Sequence, residues 1–176
     1  MATKRTLLAE IARYRQAERL LALGARVPVV LEMTRLSNWF LRKLAREVCG
    51  CPPKKGQVPN SELWYLRGRN NLQASMFMAM HCHTASVAGE DVDRCDLLIA
   101  VYERYLAVLV SARIEPVLTL DRAWWLLKSF QIRNLKLVEC CRCNGRYVRH
   151  YGDLERGFVC DGCRRATVPG EAALVE

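Results

Sequence analysis

A chain of 176 residues is the length of one domain, or of one domain with a small appendage. Apolar residues at 51% and charged residues at 26% exclude a globally disordered or low-complexity chain. Lys+Arg outnumber Asp+Glu by 27 to 18, a net charge of +9. That excess points to a polyanionic partner, with solubility alone as the plain alternative. The charge is uneven: residues 1–48 carry ten basic and four acidic side chains. No stretch approaches the ~18 uninterrupted apolar residues of a membrane helix. Glu10, Arg13 and Arg15 interrupt the region where a secretory leader would lie. The expectation is a cytoplasmic protein without a membrane association. Its nine cysteines then read as metal ligands or buried thiols, not as a disulfide framework.

Helical signals dominate the order of elements. Thr3 or Thr6 can cap a first helix running to about Leu23, with Leu7, Ile11 and Leu21 on one face and Gly24 ending it. A short helical segment follows from Pro28 to Met33. Ser37 stands where an N-cap belongs, ahead of a helix over Asn38–Val48 with Leu41, Leu44 and Val48 inward. The run Gly50-Cys51-Pro52-Pro53-Lys54-Lys55-Gly56-Gln57-Val58-Pro59 reads as a linker. It is a plain loop, or in the alternative a DNA-contacting one through Lys54 and Lys55.

Residues 61–88 predict one helix through Leu63, Leu66, Leu72, Met76 and Met80. A segment beginning at Asp96 places Leu98, Tyr102, Tyr105 and Leu109 on a buried face. Asp121–Arg133 is the last helix, carrying Trp124, Trp125, Leu127 and Phe130. At Glu139 the composition turns to Cys, Gly and Arg. The division expected is a helical DNA- and partner-binding domain over 1–138, a zinc-binding ribbon over 139–165 and a tail over 166–176. The fold class is mainly α, with a helix-turn-helix-like segment and a small four-cysteine zinc ribbon.

Cys140-Cys141-Arg142-Cys143 and Cys160-Asp161-Gly162-Cys163 are two C-x2-C hooks. A two-residue turn brings each pair of sulfurs onto one tetrahedral ion, and the spacing between hooks suits a zinc ribbon. Cys140, Cys143, Cys160 and Cys163 are the expected ligands of one structural Zn2+ per chain. Iron in a rubredoxin-like or iron–sulfur site is the alternative occupant. Cys141 reads as a spare thiol. Between the hooks, Tyr147–Tyr151 and Phe158–Val159 predict a hairpin turning at Gly152-Asp153.

Other candidates are weaker. His81-Cys82-His83 are neighbours that point in different directions on a helix, so they read as separate side chains. Met76, Phe77, Met78 and Met80 read as core, or in second place as an adaptable interface. Cys49, Cys51, Cys82 and Cys95 match no ligand spacing. There is no P-loop, nucleophile elbow or dinucleotide fingerprint, and only three histidines for acid–base work. The chain does not read as an enzyme.

Residues 26–48 follow the pattern of a helix-turn-helix. A short helix and the turn Thr34-Arg35-Leu36 lead to a second helix whose first residues, Ser37, Asn38 and Trp39, would face base edges. Arg35, Arg42, Lys43 and Arg46 can reach bases or phosphates. A bland amphipathic hairpin with a basic surface has the same pattern. Arg142, Arg146, Arg149, Arg164 and Arg165 make the ribbon basic, and Arg149 is the ribbon side chain singled out for DNA contact.

Seven short motifs occur in a fixed order: Leu23-Gly24-Ala25-Arg26; Leu36-Ser37 with Leu41-Arg42-Lys43-Leu44; Pro52-Pro53-Lys54-Lys55-Gly56; Ala74-Ser75-Met76-Phe77; Tyr102 with Tyr105-Leu106; Ala123-Trp124; and the two hooks with Phe158. From about residue 17 to 165 the chain resembles the FlhC family, subunits of the bacterial flagellar master transcriptional activator. The resemblance implies a mostly helical protein with a zinc-bearing C-terminal part, its zinc cysteines matching Cys140, Cys143, Cys160 and Cys163. It implies assembly with FlhD into a heterohexamer of two FlhC and four FlhD chains. That complex would bind double-stranded flagellar promoter DNA upstream of RNA polymerase and turn on flagellar and some non-flagellar operons. Cys141 falls outside the family pattern. Acidic Glu171 and Glu176 stand where some members carry a longer basic tail. The competing class is a zinc-ribbon interaction module that contacts only protein partners.

Overall fold

The computed structural model describes residues 6–54, 56–89, 91–153 and 156–166. Lys55, Thr3 and nearly all of the expected tail lie outside the described residues. Helix α1 spans Leu7–Ala22, with the Thr6 hydroxyl accepting from the Ala9 N–H. Its end is closed by Gly24 at φ +87° and by the Ala25 N–H donating to the Leu20 carbonyl. That positive φ is one glycine adopts without steric cost.

The buried face of α1 differs from the expected one. Ala17, Leu20 and Leu21 are in the core, whereas Leu7 and Ile11 are 78% and 47% exposed. The first turns hold no buried residue, and burial begins at Gln16.

Helix α2 (Val27–Thr34) carries Pro28 in its first turn and ends at Arg35, whose φ is +58°. Helix α3 (Asn38–Cys49) is capped by Ser37, whose hydroxyl accepts from the Phe40 N–H, and closed by Gly50. It packs on α1 and α2. Tyr14 of α1 meets Phe40 edge to face at 4.8 Å.

The single helix expected over 61–88 is two elements. A 3-10 helix (Glu62–Leu66) is followed by α4 (Gly68–Ala88), with Arg67 extended and Gly68 at φ +40° between them. Tertiary bonds hold this break: the Tyr65 hydroxyl donates to the Arg122 carbonyl at 2.8 Å, and Asn71 donates to the Tyr65 carbonyl at 2.8 Å. Leu63 and Leu72 consequently face solvent.

Helix α5 (Arg94–Ser111) starts two residues before Asp96, because Asp93 accepts from the Cys95 and Asp96 N–H groups. Leu98, Tyr102, Tyr105 and Leu109 are buried as expected. Helix α6 is Leu120–Gln131, capped by Thr119. Leu120, Ala123, Leu126 and Ser129 are its fully buried residues, while the Trp124, Trp125, Leu127 and Phe130 side chains are half-buried around them.

Two polar contacts join these helices. The buried Gln73 amide of α4 accepts from the Tyr105 hydroxyl and the Val117 N–H and donates to the Glu115 carbonyl, which pins the α5–α6 connection. Asp121, at the start of α6, accepts from the Arg26 backbone N–H at 2.8 Å and pairs with its guanidinium at 3.2 Å. Arg26 also donates to the Gln57 carbonyl at 2.7 Å, so one side chain ties α2, α6 and the proline-rich loop together.

A two-stranded antiparallel sheet follows, β1 (Leu135–Glu139) with β2 (Arg146–His150), Leu137 opposite Val148. This corrects the expected hairpin. The partner of Arg146–His150 is the segment before the first hook, not Phe158–Val159. Leu135 and Val148 are apolar and point into the helical core, which outweighs the local pull of the Gly152-Asp153 turn. The Val148 N–H donates to Ser75 and its carbonyl accepts from Asn71, so the hairpin is bonded onto α4. Helix α7 (Asp161–Arg165) closes the described chain.

Candidate metal centre and basic helix

The hairpin carries the first hook in its loop. Cys140 leaves β1, and the Cys140 N–H bonds the Gly145 carbonyl while the Asn144 N–H bonds the Cys140 carbonyl, a tight turn that points Cys140 and Cys143 inward. The second hook brackets the start of α7. The Cys141 N–H donates to the Phe158 carbonyl and draws that segment against the first hook. Cys140, Phe158 and Cys160 form a small separate core.

All four sulfurs of Cys140, Cys143, Cys160 and Cys163 lie within 4.8 Å of one another. A tetrahedron of sulfurs about 2.3 Å from a central ion has edges of about 3.8 Å. The Cys143–Cys160 sulfurs are 3.8 Å apart. Backbone N–H groups donate to the sulfurs as well, Cys160 to Cys140 at 3.3 Å and Cys163 to Cys160 at 3.4 Å.

These contacts favour thiolates at Cys140 and Cys160. The Cys160 N–H is the main cause holding the Cys140 thiol down to about 6. The Tyr147 hydroxyl chiefly lowers Cys160, and is itself pushed up in return. Cys163 is driven up to about 12, first by its bond to the Cys160 sulfur. Four crowded thiolates repel one another, and a bound cation removes that repulsion. The donor set and spacing fit a divalent ion with thiolate preference, and with four protein ligands no position is left for a substrate.

Among the described residues no other set of three or more ligating side chains converges. His81 is half-buried, whereas Cys82 and His83 are exposed, so these neighbours do not act together. Cys95 is buried, and that burial pushes its thiol up to about 12, which makes it inert. Cys141 is exposed, and its sulfur reaches the Gly157 carbonyl.

Sequence reasoning missed Tyr147 as a partner of the sulfurs, 3.9 Å from Cys143. Its only signal was an aromatic residue with a hydroxyl four positions after a ligand.

The α2–α3 corner gathers most of the remaining candidates. Arg35, Ser37, Asn38, Arg42, Lys43 and Arg46 are all exposed there. Arg42 donates to the Asn38 side chain at 2.9 Å, which orders both. Arg35, Lys43 and Arg46 make no ion pair among the described residues.

Arg149 is placed elsewhere, on β2, which packs on α4 and the 3-10 helix. Its guanidinium pairs with Asp153 and lies 4.9 Å over the Phe158 ring. No described helix is long and apolar enough to cross a membrane.

Four cysteines gathered at metal-binding distance and docked on a helical body define a mainly helical protein with a candidate metal site. Comparison with known proteins then shows the class to be transcriptional regulators. The model of the family described as flagellar transcriptional activator (FlhC) matches residues 1–174, and the chain belongs to that family. The flagellar transcriptional regulator FlhC of Gallionella capsiferriformans (strain ES-2) is 36% identical over 160 residues, covering 90% of this chain and 87% of that protein. That of Thauera aminoaromatica is 33% identical over 168 residues, covering 96% and 85%. That of Paraburkholderia phymatum is 35% identical over 172 residues, covering 96% and 76%.

Proposed function

We propose that the chain is the DNA-binding subunit of a heteromeric activator that works with FlhD, two FlhC chains to four FlhD, on double-stranded flagellar promoter DNA beside RNA polymerase in the cytoplasm. The observation that carries this reading is the outward face of α3. It holds Arg42, Lys43 and Arg46 in the open, next to Arg35 in the preceding turn, in a chain of a transcriptional-regulator family. Helix α3 is the recognition helix of a helix-turn-helix, with Ser37 and Asn38 at its entry. Arg149 and the exposed ribbon arginines hold phosphates.

The metal is Zn2+, one per chain, held by Cys140, Cys143, Cys160 and Cys163. Its role is structural, fixing the 139–165 ribbon against the 1–138 body, and the protein is not an enzyme. The exposed apolar residues Leu7, Leu8 and Ile11 of α1 are surface that FlhD covers.

The test is duplex binding by the chain co-purified with FlhD. Arg42→Ala and Arg46→Ala should each weaken binding while leaving assembly intact, with a smaller dependence of log affinity on log salt. Wild-type affinity in both variants would retire the recognition helix. An unchanged complex that binds no duplex at all would leave the protein-only interaction module.

A further inference from the structure

Trp39 is 74% exposed, the most exposed aromatic side chain among the described residues. It makes no hydrogen bond or ring contact there. An indole left in water forfeits a large apolar contact, so its position matters.

Helix geometry places it. Leu41 and Ala45 are buried and Leu44 and Val48 half-buried, which defines the inward side of α3. Residues advance about 100° each along an α-helix, so Trp39, Lys43 and Arg46 line the opposite side at i, i+4 and i+7. The indole therefore sits in the middle of the outward stripe with cations on its own face, Arg42 alongside. A protein–protein interface core favours Trp and Arg but is depleted of Lys, and here Lys43 stands one turn from the indole. An apolar ring framed by basic residues at the start of a helix suits a nucleic-acid groove better, where the cations meet phosphates and the ring meets base edges.

The apolar group that a major groove offers is the thymine C5-methyl. We infer that Trp39 is a specificity residue that packs against a thymine methyl. This rests on the proposed role of α3 in DNA reading and goes beyond it by naming the base feature and the side chain.

The test uses the complex with FlhD and two fluorescent duplexes of one flagellar promoter region. One is natural, and the other is synthesised with uracil in place of thymine, which removes only the methyl groups. The wild type should prefer the thymine duplex by about fourfold, the equivalent of burying one methyl. Trp39→Ala should bind both duplexes alike, and Trp39→Phe should keep part of the preference. The side chain is exposed, so both variants should retain wild-type helicity and metal content.

Equal affinity of the wild type for the two duplexes overturns the inference, as does a preference that survives in Trp39→Ala. Loss of FlhD recovery in Trp39→Ala with an unchanged thymine preference assigns the indole to a protein contact and also overturns it. Arg42→Ala and Arg46→Ala distinguish the two levels. If they weaken binding while thymine preference ignores Trp39, only this inference fails. If they too change nothing, the reading of α3 fails with it.

Discussion

Arg26→Ala should be among the most destabilising changes outside the apolar core. Asp121 and Arg26 are only 7% and 22% exposed at their side chains, so water screens the pair little. Breaking a buried pair by removing one partner costs about 3–5 kcal/mol, because the remaining charge is stranded. The bond to the Gln57 carbonyl is lost too. Asp121→Asn is milder, at about 1–2 kcal/mol, since an amide oxygen can still accept the Arg26 backbone N–H.

The pair also sets a pH dependence. Burial raises the Asp121 carboxyl above its ordinary value, against the opposing pull of the Arg26 N–H and guanidinium. A raised acid favours the folded state below its unfolded value, and that contribution is lost as pH rises through the folded value. Removing Arg26 raises the carboxyl further, so the Arg26→Ala deficit should grow as pH rises above the carboxyl's ordinary value. Urea unfolding followed by far-ultraviolet circular dichroism at several pH values, wild type beside variant, measures this. A deficit that stays constant with pH, or one below about 1 kcal/mol, would refute the buried-pair argument. Arg26→Ala/Asp121→Asn should lose the extra pH dependence.

Two further outcomes follow from the ribbon and its docking. Cys160→Ser removes one of four sulfurs and should abolish stoichiometric metal binding and lower solubility, while the far-ultraviolet signal of the helical body persists; elemental analysis of the purified variant reads the metal directly. Asn71→Ala leaves the Tyr65 and Val148 carbonyls without their shared donor, at a cost of about 1–3 kcal/mol, and hydrogen exchange should show β2 opening more readily than α5.

What was legible in the sequence was mostly local. The two hooks, the Ser37 cap and the periodic face of α5 depend on residues a few positions apart, and all are found as read. Contacts between distant segments were not legible. The strand pairing differs from the expected one because Leu135–Glu139 lies ahead of the compositional change at Glu139, and its packing against α6 is a tertiary fact. The break at Arg67 is held by Tyr65 and Asn71 reaching other elements, which no periodicity reveals. Gln73 and Asp121 look like ordinary polar helix residues until their buried partners are seen. The face of α1 was misjudged because periodicity identifies a stripe but not how much of it the body reaches.

The most direct test of the account is fluorescence anisotropy of the chain co-purified with FlhD, titrated against flagellar-promoter and scrambled duplexes at two salt concentrations. The account predicts tight binding that prefers the promoter and weakens steeply with salt. Equal binding to both duplexes would contradict sequence reading by α3, and no binding to either would contradict the DNA-binding role altogether.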